Sequence, residues 1–273
     1  MNLSDLKHIT DDLGTSSTMP VLFVGHGNPM NAIADNAFTK KLGTWGSSFQ
    51  DKPKAILVIS AHWLTQGTHV MVSPKPRTIH DFGGFPQALY QIQYPVDGSP
   101  SFANETKQIV TSTQVIADDQ WGLDHGAWTV LKHMFPKADI PVYQLSIDYA
   151  KPPAYHYNLA KELKSLRKKG VLIIGSGNIV HNLYQIDFDE KAKPYDWAVE
   201  FDETVKKQLQ NKDFESLINY SSLGNAAHLS IPTNDHYLPM LYSLGLTDKS
   251  ESLTFTFEEI QNASISMRCF QVG

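Results

Sequence analysis

Short apolar runs recur along the chain at wide spacing: VLFV at 21–24, AILVIS at 55–60, PVYQLSI at 141–147 and VLII at 171–174. They are nearly continuous rather than alternating, the pattern of strands buried on both faces of a helix-covered sheet. Helical patterns lie between them. The clearest predicts a helix from about Pro153 to Lys169, with Leu159, Leu163 and Leu166 on one face, prolines at its start and Gly170 as its stop. Residues 196–210 and 212–219 predict two more helices. Near the end, LTFTF at 253–257 and SISMRCFQV at 264–272 alternate as an antiparallel pair would. Strands alternating with helices predict an α/β fold, with a mainly parallel central sheet flanked by helices and an antiparallel extension. No repeat or long linker divides the chain. One domain over residues 1–273 is expected, with polar residues 1–18 as a loosely ordered arm.

Composition narrows the function. The chain has 273 residues, 41% of them hydrophobic, enough for a full core. A net charge of −5 offers no basic footprint for nucleic acid. No stretch reaches the ~20 apolar residues of a membrane span, and the opening MNLSDLKHITDDLG lacks a signal peptide's apolar centre. The single cysteine, Cys269, leaves no partner for an internal disulfide and no cysteine-rich zinc site. A cytoplasmic, soluble monomer or small homo-oligomer is expected, without nucleic-acid or membrane partners.

Eleven histidines change the picture, because any transition-metal site here must draw on imidazole and carboxylate. Three follow apolar strands: His26 after VLFVG, His62 after AILVISA, and His181 after VLIIGSGNIV. Ligands of open α/β sheets bind beyond the carboxyl ends of strands, where distant parts of the chain converge. One strand-end histidine is most simply a hydrogen-bonding residue, whereas three in glycine-rich or small-residue settings point to a shared site. Two more stand in turn-like contexts. His125 in WGLDHGAW lies beside Asp124, and His236 in PTNDHYLP lies near a helix start that Thr233, Asn234 or Asp235 could cap. Other chemistry finds little support. GSGN at 175–178 lacks both the Walker lysine and the G-x-G-x-x-G spacing, and neither Ser60 nor Ser176 occupies a G-x-S-x-G elbow.

The blocks VGHGNPMNAI, VISAHWLT, TIHDFGGFPQALYQIQYPVDGSP, WGLDHGAWTVLKHMFP, PVYQLSID, GSGNIVHNL and PTNDHYLPMLYSLG occur in this order. Together they resemble the class III, LigB-like extradiol ring-cleavage dioxygenases, in the branch that acts on DOPA. The resemblance spans about Met19 to the C-terminus. It implies that His26 and His62 are metal ligands, that His181 is the acid/base residue and can also approach the metal, and that His125 contacts substrate or oxygen. Catechol-cleaving relatives outside this branch use a late glutamate as third ligand. Here His236 holds that position, with Asp235 and Glu203 as other carboxylate sources. The implied cofactor is Fe(II); an imidazole-rich site also suits Zn(II), which stands above ferrous iron in affinity order. The implied substrates are a small-molecule catechol, DOPA-like, and O2, giving a muconic semialdehyde. His181 would take a hydroxyl proton, and His181 or His125 would return one as the O–O bond breaks. The glycines around His26 and His125 are expected to leave room beside the metal. The block at 78–86 is the expected substrate loop, with Phe82 and Phe85 against the ring, His80 near a polar substituent, and Tyr237 as a further contact. A zinc-dependent hydrolase and a non-catalytic metal-binding protein are the rival readings.

Overall fold

A computed structural model of the chain describes residues 18–273. The arm expected over residues 1–18 therefore lies, Thr18 apart, outside the described residues. Six strands build the main sheet: Val21–Gly25 (β1), Ala55–Ser60 (β2), Val142–Gln144 (β3), Val171–Gly177 (β4), Leu253–Phe257 (β5) and Cys269–Val272 (β6). Their order is β3-β2-β4-β1-β6-β5. The first four positions are parallel, while β6 runs antiparallel to β1 and β5 antiparallel to β6. This is the α/β arrangement that the spaced apolar runs predict. Every residue of β1, β2 and β4 is buried, as continuous apolar runs require.

Two helices on opposite faces cover the centre. Helix α1 (Ala37–Ser47), started by a capping box at Asn36, packs on α2 (His125–Met134), and α3 (Pro153–Glu162) packs on α5 (Leu238–Gly245). Helix α4 (Asp196–Asn211) lies beside Asn225–Ser230. Strand β4 shows which helix takes which face. A Cβ on Gly175 would stand 2.4 Å from the Pro239 carbonyl oxygen in α5, whereas the next residue, Ser176, donates its hydroxyl to the Gly126 carbonyl of α2 at 2.6 Å. Successive strand residues face opposite sides, so α5 and α2 sandwich the sheet.

Some elements depart from expectation. The helix predicted over 153–169 is two pieces, α3 and Lys164–Lys168, joined at Leu163, whose N–H bonds back to Ala160 in a tight turn. The break keeps Leu159, Leu163 and Leu166 all buried. The run at 141–147 divides after Gln144, because the Ser146 hydroxyl binds the His69 amide and Thr65, and Ile147–Asp148 pairs with Leu64–Thr65 away from the main sheet. In the terminal pair, Cys269–Val272 joins β5 as expected, while Ile265–Ser266 pairs with Ile260–Gln261 in a separate ladder. The predicted 212–219 helix runs from Phe214 to Ile218 behind an Asp213 cap. Among the described residues, no helix is long and apolar enough to cross a membrane.

Central burial sets the expected stability response. Ile173, fully buried in β4, should cost about 2–5 kcal/mol on replacement by alanine and about 0.5–1.5 kcal/mol by valine. Urea unfolding checks this, with the midpoint moving and the slope constant.

Candidate active site

Register brings the strand-end histidines level. Gly25 pairs with Gly177 and Ser60 with Ser176, so β1, β2 and β4 end at one edge of the sheet. His26 follows β1 directly and His62 stands two residues beyond β2. His125 is the first residue of α2, and His236 lies two residues before α5. These four and His181 line a single cavity of about 590 Å³. The His26–His62 and His26–His236 ring centres are 5.0 and 5.3 Å apart, and His62 stands 4.0 Å from His125. His181 stacks parallel on His236 at 3.5 Å.

Hydrogen bonds assign the tautomers of the ligand candidates. The Ser176 hydroxyl gives its proton to Gly126 and so can only accept from His26 Nδ1, at 3.0 Å. His62 Nδ1 faces an Asp81 carboxylate oxygen at 3.3 Å, and His236 Nδ1 donates to Asp235 in a short bond. With a proton on each Nδ1, all three Nε2 atoms carry lone pairs. The Nε2 atoms of His26 and His62 are 3.1 Å apart, where two lone pairs repel unless a cation lies between them. Nitrogens each ~2.1 Å from a shared ion stand roughly 3.0–3.4 Å apart at angles of about 90–110°. The ligand atoms of His26, His62 and His236 all lie within 4.8 Å of one another. Donor type, spacing and anchored Nδ1 atoms therefore fit a divalent transition metal. His62, Asp81 and His125 form a second close set, but its contacts are hydrogen bonds: Asp81 accepts the His125 amide at 2.8 Å and His125 Nδ1 at 3.0 Å. His181 belongs to neither set.

Burial disfavours the charged form of His26, His62, His181 and His236. Desolvation, then the neighbouring imidazoles, hold His26 and His236 well below the usual histidine range. Burial, then His125, push His62 down to about 3 against the pull of Asp81, and burial lowers His181 to about 4. Burial pushes Asp81 up, but the hydrogen bond and charge of His125 outweigh it and leave the carboxyl below its usual range. The N-terminus of α2, whose first amide binds Asp81, favours the same anion.

The other expected residues divide between the cavity and the packing around it. Phe82 and Phe85 line the cavity, and Phe82 stands edge-on to His125 at 5.5 Å. His80 lies outside the lining, with its Nε2 on the Ile92 carbonyl at 3.0 Å and its ring between Phe82 and Trp128. Tyr237 projects away from its neighbour His236 into the core, where its hydroxyl donates to Leu217 at 3.0 Å. Asp124, the sequence neighbour of His125, caps α2 by accepting the Ala127 amide, and Asp81 takes the imidazole. No side chain caps α5, since Asp235 is turned to His236. Glu203 lies on α4, bound to Arg268 at 2.8 Å.

The glycines serve packing more than open space. Gly27 has a φ of +64°, and a Cβ there would stand 2.4 Å from the Met267 sulfur. A Cβ on Gly126 would stand 2.8 Å from His62 Cδ2, so this glycine lets α2 approach the His62 ring. Asp81 and Ser176 are the contributors that sequence reasoning missed. Asp81 had a signal, as the sole acid in the predicted substrate loop. Ser176 had only its place beside two glycines.

Residues 17–268 match the family model described as the catalytic LigB subunit of aromatic ring-opening dioxygenase. The chain is 44% identical to an Escherichia coli K12 protein named 4,5-DOPA dioxygenase extradiol, over 97% of this chain and 98% of that one. It is 40% identical to a protein of the same name from Beta vulgaris, over 82% of this chain and 85% of the relative. A crystal structure of an Escherichia coli K12 protein described as uncharacterized is similar, with a TM-score of 0.82 and 40% identity, covering 93% of this chain and all of that one.

Two tests follow from the geometry. Ser176→Ala and Asp81→Asn should each weaken metal affinity by about 10–100-fold, read by competition titration against a chromophoric chelator. The metal-free protein should also lose stability as pH falls below 6.5. There the unfolded chain binds protons on these histidines, while the folded one, with lowered values, does not. Denaturant midpoints at pH 7.5 and 5.5 check the sign.

Proposed function

The chain belongs to the LigB family of aromatic ring-opening dioxygenases and is an extradiol dioxygenase; we propose that it opens a catechol of the DOPA type to a muconic semialdehyde at one metal held by His26, His62 and His236. The observation that carries this reading is the convergence of one ring nitrogen each from His26, His62 and His236, within 4.8 Å of one another, in a cavity that Phe82 and Phe85 also line. A ferrous ion bound there supplies the redox chemistry that lets triplet dioxygen react with a singlet catechol, and zinc fits the same donors.

The surrounding side chains bind, orient and move protons. Phe82 and Phe85 offer aromatic faces and edges to a planar ring. His181, neutral through burial, is ready to take the proton of a catechol hydroxyl. Asp81 grips both the amide and Nδ1 of His125, so that its Nε2 is left for substrate, fixed in direction, to give or take a proton as the ring opens. Burial of His26 and His236 limits the access of bulk water to their nitrogens. A zinc hydrolase would want a carboxylate free to activate water. Asp81 is bound to His125 and His62, and Asp235 to His236.

Anaerobic loading with Fe(II), followed by DOPA and oxygen, should give oxygen uptake and a yellow ring-opened product. Replacing His26, His62 or His236 by alanine should abolish tight metal binding. His181→Ala should keep the metal and lose about 10²–10⁴-fold in turnover; loss of the metal there would make His181 a ligand. No product from any catechol, together with zinc-dependent ester or amide hydrolysis, would overturn the reading.

A further inference from the structure

His181 is held differently from the other four histidines of the cavity. Nδ1 of His26 meets Ser176, that of His236 meets Asp235, and those of His62 and His125 share Asp81. The ring of His181 has no hydrogen-bond partner among the described residues; its close ring contact is the parallel stack on His236 at 3.5 Å. A ring without such a tether takes its place from its backbone, and here the backbone is clipped on two sides. The His181 amide donates to the Ser230 carbonyl at 2.9 Å, and His181 bridges Ile265 in antiparallel fashion. Next to Ile265, the Ser266 amide donates to the Val180 carbonyl at 3.0 Å. The Asn178 side chain donates to the Ser266 carbonyl at 2.8 Å, and the Asn178 amide donates to the His236 carbonyl, also at 2.8 Å. One peptide segment, Ile265–Ser266, is thus bonded to the chain on either side of the stack.

That segment is anchored from behind. Ile265 lines the cavity, so the next side chain faces away from it. There the Ser266 hydroxyl donates to Asp202 Oδ1 of α4 at 2.6 Å. Asp202 is buried, and Arg268 Nε donates to both of its oxygens at 3.1 Å. Arg268 is buried as well, and it also binds Glu203 at 2.8 Å and Glu258. Buried ion pairs add little to stability, because desolvation offsets their attraction. This one holds the Asp202 carboxylate against Ser266. On the other side, a Cβ on Gly25 would stand 2.8 Å from the Ser266 carbonyl oxygen, so β1 closes on the same peptide one residue before His26.

Building on the acid/base reading of His181 above, we infer that Ser266, through its hydroxyl bond to Asp202, is a positioning residue that sets His181 in its stack on His236. The zinc-loaded protein gives a readout free of turnover. In long-range 1H–15N spectra, Ser266→Ala should move the His181 ring signals while those of His26 and His62 stay in place. Asp202→Ala should do the same, and Asp202→Asn, which keeps an oxygen for the Ser266 hydroxyl, should restore them. On the iron-loaded protein, Ser266→Ala should lower kcat per bound metal by about 10–100-fold, with KM and metal affinity unchanged. In a His181→Ala background the same substitution should cost nothing further. Unmoved His181 signals, signals that move alike at every cavity histidine, or an equal further loss in the His181→Ala background would each overturn the positioning role. Selectively moved signals, together with a turnover that His181→Ala leaves unchanged, would support the positioning role and count against the acid/base reading.

Discussion

The structure depends on the direction in which three imidazole lone pairs point. His26, His62 and His236 come from three distant parts of the chain, and each can serve one cation only if its Nδ1 carries the proton. Ser176 and Asp235 favour that proton placement by hydrogen bonds to His26 and His236, and the Asp81 carboxylate favours it from 3.3 Å at His62 Nδ1. Ser176 can accept because its own proton is committed to α2. Asp81 can accept because α2 begins beside it. The position of one helix on the sheet therefore orients two of the three rings.

Strand register does the rest of the positioning. Gly177 shows how closely the parts fit: a Cβ there would stand 2.2 Å from the His236 carbonyl, to which the Asn178 amide donates at 2.8 Å. The end of β4 thus fixes the backbone of His236, almost sixty residues further on, while Ser176, one position earlier, holds the ring of His26 from the other face. Desolvation and the neighbouring imidazoles disfavour protonation of His26 and His236, so gathering them without a cation is costly. The fully buried strands β1, β2 and β4 carry that cost in the scaffold rather than in the site.

Much of this was legible in the sequence because continuous apolar runs mark doubly covered strands, and strand ends mark where ligands gather. His26, His62 and His181 could be placed from local pattern alone. His125 and His236 took on meaning only through the resemblance of whole blocks, since a histidine beside an aspartate reads as a turn. What local pattern could not show is direction. Tyr237 and His236 are neighbours, yet one enters the core and the other the cavity. Asp124 and Asp81 are both near His125 in space, and only the tertiary fold decides which caps the helix and which holds the ring.

The central claim is that one metal is held through Nε2 of His26, His62 and His236, with His181 and His125 outside the ligand set. An anomalous-difference map at the iron edge, from crystals grown anaerobically with Fe(II), tests it directly. The account predicts a single peak about 2.1 Å from each of those three nitrogens. A peak bound by His62, Asp81 and His125, or one in which His181 replaces His236, would contradict it.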